Sequence, residues 1–369
     1  MPIYMDRHDV SEAVTAENVA QLHQADLKIQ HKFGCRGLTY WFDEKRKTAF
    51  CLIEAPNERA IEEMHSHAHG QVPHRVIEVD TTIVESFLGR IEDPATAQNT
   101  HLNIINDPAF RTILALTIRF NSLKNYKSES YNTFQTKYSN FLAGVINRHK
   151  GRIANQFETN LIASFESVTE AVTCAFEIQT RYKMMLNEVG LNEFSLKIGL
   201  SAGVPVTDKK LIFEDTINLA KRMHHIAKAE IVMTTEVKDL YKSENLNQFI
   251  NVDKVEVLAS DDEHFLTRLF DFIELEWKNN DLNVEVFNKY LGFSKSQLYR
   301  KMMALVGESP NNFLMSYRLD RALSLFTKET GNVSEIAFES GFSDPSYFSK
   351  CFHRKYSLSP SAYLRNKQD

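Results

Sequence analysis

Two stretches near the C-terminal end carry the same punctuation, Leu291-Gly292-Phe293-Ser294 and Ser340-Gly341-Phe342-Ser343-Asp344, about 50 residues apart. In the first, the apolar-periodic run Val284 to Tyr290 precedes the glycine and Ser294 opens a second run to Val306. In the second, Val333 to Glu339 precedes it and Asp344 opens a run to Tyr356. Ser and Asp are strong helix N-caps, because their side-chain oxygens accept the first free backbone N–H groups. A glycine between two short helices lets the second cross the first, which is the helix-turn-helix arrangement. One such turn occurs in many helical domains. Two in tandem, joined by the helical run Phe313 to Phe326, restrict this part of the chain to a bihelical unit with two equivalent presented helices. Residues 264–280 add a packing helix in front, with Phe265, Leu269, Phe272, Ile273 and Trp277 at helical spacing.

The charge is arranged to match. The chain has 43 Lys/Arg and 48 Asp/Glu, a net charge of -5. Lys289 to Asp369 nevertheless holds 12 basic against 7 acidic residues, and the rest 31 against 41. A basic end on an acidic chain fits double-stranded DNA as partner. On the first presented helix Ser296, Tyr299 and Arg300 share a face; on the second, Pro345, Ser346, Ser349 and Lys350 occupy the matching one. Arg300 can bond both acceptors of guanine, Tyr299 a base edge or a phosphate, and Lys350 guanine or phosphate. Lys295, Lys301, Arg354 and Lys355 are expected on phosphates, and Leu298, Phe348 and Phe352 in the core. The segments LGFSKSQLYRKMMALVGESPNNFLMSYRLDRALSLF and VSEIAFESGFSDPSYFSKCFHRKYSLSPSAYLR resemble the AraC/XylS transcription regulators over about 100 residues. That resemblance implies that the second helix of each unit enters successive major-groove segments on one face of the DNA.

The first 80 residues read strand, helix, strand, strand, helix, strand. Ile3 to His8 alternates, Thr15 caps a helix through Phe33, Gly34 to Phe42 and Thr48 to Ala55 are β-rich, Pro56 opens a helix ending at Gly70, and Val76 to Val79 closes the set. This βαββαβ order is the ferredoxin-like split unit. Seven of the 13 histidines lie here. His65 and His69 are four apart on one helical face while His67 points elsewhere. Two imidazoles on one face suit nickel or another borderline divalent metal, with His8 or His74 as a third ligand; equally, they suit solvated or hydrogen-bonded histidines. Tyr40, Trp41 and Phe42 fit a sheet core or an organic-ligand pocket. The segments MPIYMDRHDV, AQLHQADLKIQ, GLTYWFDE, AFCLIEAP and HSHAHG resemble the small nickel-responsive ferredoxin-like proteins of actinobacteria, a likeness that implies nickel binding.

Residues 81–111, with Gly89, Asp93, Pro94, Thr96 and Asn99, read as a linker. An α/β segment over 112–245 follows. It has strands at Ile113 to Phe120, at Ile153 to Phe165 about a turn at Glu158-Thr159-Asn160, at Leu196 to Ala202 and at Ile231 to Thr234. Helices are expected over Tyr131 to Lys150, from Ser167, and over Thr216 to Ala227. GRIANQFETNLIASFES, AVTCAFEIQ, LKIGLSAGVPV, DTINLAKRM and AEIVMTTEV resemble a class III nucleotide cyclase domain over about 130 residues. In that family two aspartates hold the metal ions on the triphosphate. Thr117 and Thr159 stand at those positions, and a neutral hydroxyl does not replace an anionic oxygen for Mg²⁺. Asn155 stands where a base-selecting lysine is often found. Asp215, Asn218 and Arg222 match the family's later motif and are nucleotide-binding candidates; they also suit structural roles.

The expected fold is multidomain α+β followed by all-α: ferredoxin-like 1–80, cyclase-like 112–245, and tandem helix-turn-helix 262–366. The expected function is sequence-specific DNA binding by a regulator with a metal, nucleotide or other small-molecule effector, homodimeric through an inactive cyclase-like unit. An active cyclase and a metal carrier with a vestigial reader are the alternatives. Cys35, Cys51, Cys174 and Cys351 are far apart with no CxxC pair, no apolar run reaches the ~20 residues of a membrane span, and the first residues lack an apolar signal core. These features predict a reduced cytoplasmic protein off the membrane.

Overall fold

The computed structural model describes residues 1–94, 102–157, 159–191, 193–227, 229–245, 255–328 and 331–368, so Glu158 of the expected turn, with Thr96 and Asn99 of the expected linker, falls outside the described residues. The chain builds an α+β region of two sheets followed by an all-helical region.

In the first sheet β1 (Ile3–Asp9), β2 (Arg36–Asp43), β3 (Thr48–Glu54) and β4 (Arg75–Val79) lie in the order β2-β3-β1-β4. Helices α1 (Ala16–Ile29) and α2 (Glu58–Ala68) complete the βαββαβ sequence. Thr15 caps α1 reciprocally, accepting from the Asn18 N–H while Asn18 accepts from its own N–H. Asn57, not Pro56, starts α2, its side chain accepting the Ala60 N–H at 3.0 Å. Strand β1 works on both faces. Tyr4 and Asp6 turn to the helices, whereas Met5 and Arg7 turn away from them.

The start of the stretch expected as a linker is helical. Asp80 caps α3 (Thr81–Leu88), and Val84, Phe87 and Leu88 are buried. The Arg90 guanidinium lies over Trp41 and bonds Thr39, the Tyr40 carbonyl and Asp107. Turn-forming residues after α3 signal a loop, but tertiary burial decides the conformation before them.

The second sheet contains β5 (Arg111–Phe120), β6 (Arg152–Gln156), β7 (Asn160–Phe165), β8 (Phe194–Gly203), β9 (Ile231–Thr234) and β10 (Val255–Leu258), in the order β10-β9-β8-β5-β7-β6. Its β8-β5-β7-β6 part repeats the arrangement of β4-β1-β3-β2. Helices α4 (Glu129–Arg148) and α5 (Val168–Val189) cover one face. The other face meets the first sheet: Met5, Trp41 and Leu52 share a core with Ile113, Ala115 and Ile162, and Phe87 of α3 belongs to the same core. Helix α6 (Glu214–Arg222) lies close on β8, where a Cβ at Gly199 would collide with the Ala220 carbonyl. It ends at Arg222, five residues before the expected limit of Ala227, and passes into a short turn, Met223–His225. Helix α7 (Thr235–Glu244) and strand β10 were not visible in the sequence pattern.

The helical region runs α8 (Ser260–Glu276), α9 (Val284–Leu291), α10 (Lys295–Leu305), α11 (Pro310–Lys328), α12 (Val333–Glu339), α13 (Pro345–Tyr356) and α14 (Pro360–Gln368). Gly292 and Gly341 take φ of +77° and +76°, the left-handed conformation that glycine adopts without Cβ strain. Ser294 and Asp344 cap the helices that follow, as expected. This region leans on the second sheet. Met223, Ile226, Val232 and Leu258 complete the core of the first helix-turn-helix unit, and Leu123 enters that of the second. The Leu123 N–H donates to the Tyr356 carbonyl at 2.8 Å, and that of Ala227 to the Leu305 carbonyl at 3.1 Å.

Candidate nucleic-acid interface and candidate metal centre

Helices α10 and α13 present the expected faces. Lys295, Ser296, Tyr299 and Arg300 are exposed, as are Ser346, Lys350 and Arg354. Pro345 and Ser349 are half-buried, and the Ser349 hydroxyl donates to the Pro345 carbonyl. Leu298, Phe348 and Phe352 are core residues. Lys301 and Lys355 differ from expectation. Lys301 pairs with Asp262 of α8, and Lys355 with Asp320 at 2.6 Å and the Ser316 carbonyl at 2.9 Å. Both tie a presented helix to its support, Lys301 to α8 and Lys355 to α11. Tyr347, exposed by 49 %, stands on α13 beside Ser346 and was not singled out from the sequence. Its N3 position after Asp344 was the available signal.

The nucleotide candidates on α6 bond different partners. Arg222 is buried and bonds Asp271 at 2.6 Å and Glu274 at 3.4 Å on α8, so its charge is committed to the helical region. Asp215 is exposed and accepts from the Thr207 hydroxyl at 2.7 Å; Asn218 is half-buried. Thr117 donates to Asn160 at 2.7 Å, and Thr159 accepts from Asn160 at 3.1 Å.

The first sheet and its helices enclose a polar cluster. Asp6, His8, Cys51 and His65 are all buried and offer donor atoms within 4.8 Å of one another; Asp26, His65 and His69 form a second such group. His65 Nε2 stands 2.9 Å from Asp6 Oδ2, and His8 Nε2 stands 3.4 Å from the same oxygen. On the far side of the ring, His65 Nδ1 is 3.1 Å from Asp26 Oδ1, and His69 Nε2 is 3.2 Å from that atom. The Cys51 N–H donates to Asp6 Oδ1 at 2.9 Å. Burial opposes a charge on His65, but hydrogen bonds to Asp26 and Asp6 overcome it and raise its pKa to about 10. Burial likewise opposes the Asp6 charge, and His8 and His65 outweigh it, holding the carboxyl far below its usual range. Burial, then Asp6 and Asp26, pushes the Cys51 thiol well up.

Of the four expected metal residues, His8, His65 and His69 converge. His74 does not: it is exposed, and its Nδ1 accepts from the Asp9 N–H. His67 is exposed, as its helical position predicts. Asp6, Asp26 and Cys51 were missed. The Asp6–His8 alternation, two donors on one strand face, was the readable signal. A mixed oxygen, nitrogen and sulfur set suits a borderline divalent ion of the later first-row metals.

Comparisons with known proteins divide along the same lines. Residues 4–79 match the family described as nickel responsive protein SCO4226-like, and residues 288–366 the helix-turn-helix domain family. Histidine kinase P4 of Formosa agariphila is 37 % identical over 106 residues, 29 % of this chain and 8 % of that protein. The HTH-type transcriptional regulator MtrA of Neisseria gonorrhoeae is 32 % identical over 102 residues, 28 % of this chain and 32 % of that protein. The chain thus spans less than half the length of either relative. Among solved structures, the guanylyl cyclase Cya2 covers 36 % of this chain and 78 % of its own at 18 % identity and a TM-score of 0.30, a likeness too distant to carry a function. The C-terminal region is a helix-turn-helix DNA-binding domain of the transcription-regulator kind, broadly resembling AraC/XylS regulators. Among the described residues no helix is long and apolar enough to cross a membrane.

Proposed function

We propose that the chain is a sequence-specific transcription regulator of the AraC/XylS type whose N-terminal ferredoxin-like unit senses a divalent metal ion. The observation that carries this reading is the pair of capped helices, α10 and α13, presenting Arg300 and Lys350 from two matching helix-turn-helix units. Helix α11 and the second sheet fix the separation of the two heads, so both can enter successive major-groove segments. Arg300 reads guanine, Lys350 guanine or phosphate, and Lys295 and Arg354 hold phosphates.

The ion would be held among Asp6, His8, Cys51, His65, Asp26 and His69, and supplies positive charge that ties β1 and β3 to the helices. The Arg7 guanidinium, on the opposite face of β1, donates to the Val206 carbonyl at 3.3 Å, giving the site a direct path to the second sheet. The middle unit is cyclase-like in its order of elements and acts as a connector without turnover, since Thr117 and Thr159 leave no carboxylate for metal-assisted phosphoryl chemistry. Pairing of two copies through the second sheet is not part of this reading, because the first sheet lies on that face.

The test is DNA selection with the full chain, with and without Ni²⁺ and with and without ATP. A defined motif whose occupancy changes with Ni²⁺ supports the reading. Salt-sensitive binding with no motif sinks it. Formation of a cyclic nucleotide from ATP or GTP with Mg²⁺ or Mn²⁺ would restore the enzyme alternative.

A further inference from the structure

We infer that the ion centre is one four-donor site made by Asp6, His8, Cys51 and His65, with Cys51 ligating as a thiolate and Asp26 positioning His65 from outside. This rests on the metal-sensing reading above and deepens it. Two overlapping groups compete for His65, and its two ring nitrogens face them separately, Nε2 toward Asp6 and Nδ1 toward Asp26. A neutral imidazole has one lone pair for a metal and one N–H to donate. Ligation through Nε2 with Nδ1–H given to a carboxylate is the arrangement that fixes a ligand ring and raises its basicity.

Three observations choose the Nε2 side. It offers four donors against three. Its donors come from β1, β3 and α2 and lie within 4.8 Å of one another. Tetrahedral zinc-like bonds set those separations at about 3.3–3.8 Å, so a small contraction closes the site. Its two anions, the Asp6 carboxylate and the Cys51 thiolate, balance a divalent charge where an unbalanced one is costly to bury. Ion uptake transfers the Cys51 thiol proton and the proton on His65 Nε2 to solvent. The thiolate and imidazoles select nickel, zinc or cobalt over magnesium and calcium, which favour all-oxygen sets. Cys35, buried in the same unit, is an internal control, because its thiol turns to the Phe33 carbonyl at 3.7 Å and lies outside both groups.

The experiment uses the full chain with Ni²⁺ and, separately, Co²⁺, reading ions bound per chain by dialysis and the near-ultraviolet thiolate-to-metal absorption. One ion per chain with that absorption is expected. C51S and C51A abolish the absorption and weaken binding, with folding checked by circular dichroism, while C35S leaves both unchanged. D26N keeps the absorption and the stoichiometry but lowers affinity by about 10–100-fold. An ion that binds without the absorption, ignores C51S and is lost in H67A or H74A overturns this assignment and leaves metal sensing intact. Loss of the ion in D26N with C51S silent overturns it in favour of the Asp26–His69 side. No bound ion in the folded chain overturns both readings.

Discussion

Arg300 and His224 show how differently two side chains can matter at the residue scale. Arg300 is exposed on α10, and its Nε donates to the Ser296 carbonyl of its own helix at 3.4 Å, with no carboxylate pairing its charge among the described residues. R300A should therefore leave the unfolding midpoint unchanged. It should weaken specific DNA binding by about 1–3 kcal/mol and relax the preference at one base pair, read by competition against substituted sites. An equal loss on every sequence would make it a phosphate contact. His224 is buried, its Nε2 3.0 Å from the Ala115 carbonyl. Burial first, with Arg119 adding to it, lowers its pKa to about 3. The unfolded chain then takes up a proton near pH 6.5 that the folded chain refuses until about pH 3. The stability that His224 contributes is therefore full above pH 6.5 and declines as pH falls from there toward 3. The loss in urea midpoint between pH 6 and pH 4.5 should be smaller in H224Q than in the parent chain.

At the scale of elements, the loop after β5 is the part to disturb. Leu123 is buried in the core of the second helix-turn-helix unit although it belongs to the middle of the chain. L123A should cost about 2–5 kcal/mol, the range for truncating a buried leucine, and loosen α13 more than α10. Hydrogen exchange of the two helices in the variant measures the difference. The tandem units themselves were legible in the sequence because their determinants are local: a capping Ser294 or Asp344, a glycine that takes positive φ, and apolar periodicity. Helix α3 was not, since Val84, Phe87 and Leu88 only acquire a partner once two sheets meet. The metal candidates divide in the same way. His65 and His69 are neighbours by helical spacing alone, whereas Cys51 reaches Asp6 through the β1–β3 register and Asp26 arrives on α1. Sequence spacing reports contacts within an element and is silent about those that topology makes.

For the whole molecule, one continuous set of contacts leads from the metal candidates to the reader. Strand β1 carries Asp6 and His8 on one face and Arg7 on the other; Arg7 holds the Val206 carbonyl, and the Pro205 carbonyl accepts the N–H of Phe213, at the start of α6. Helix α6 ends in Arg222, held by Asp271 and Glu274 of α8. Both carboxylates are more than two-fifths exposed, so solvent tempers the pairs. R222A is expected to cost only about 1–2 kcal/mol of stability, mainly through its hydrogen bonds. Its larger effect should be on linkage. Any change in operator affinity caused by Ni²⁺ should shrink in R222A, and the change in Ni²⁺ affinity caused by operator DNA should shrink equally. Titrations run in both directions check this, and an undiminished response would place the route elsewhere.

The two stacked sheets also have a consequence for how such a molecule behaves in a cell. Because both belong to one polypeptide, their meeting is governed by tether length and not by how many copies are present. Dilution cannot separate them. A signal passing across that seam is therefore as strong in a cell holding a few molecules as in one holding thousands.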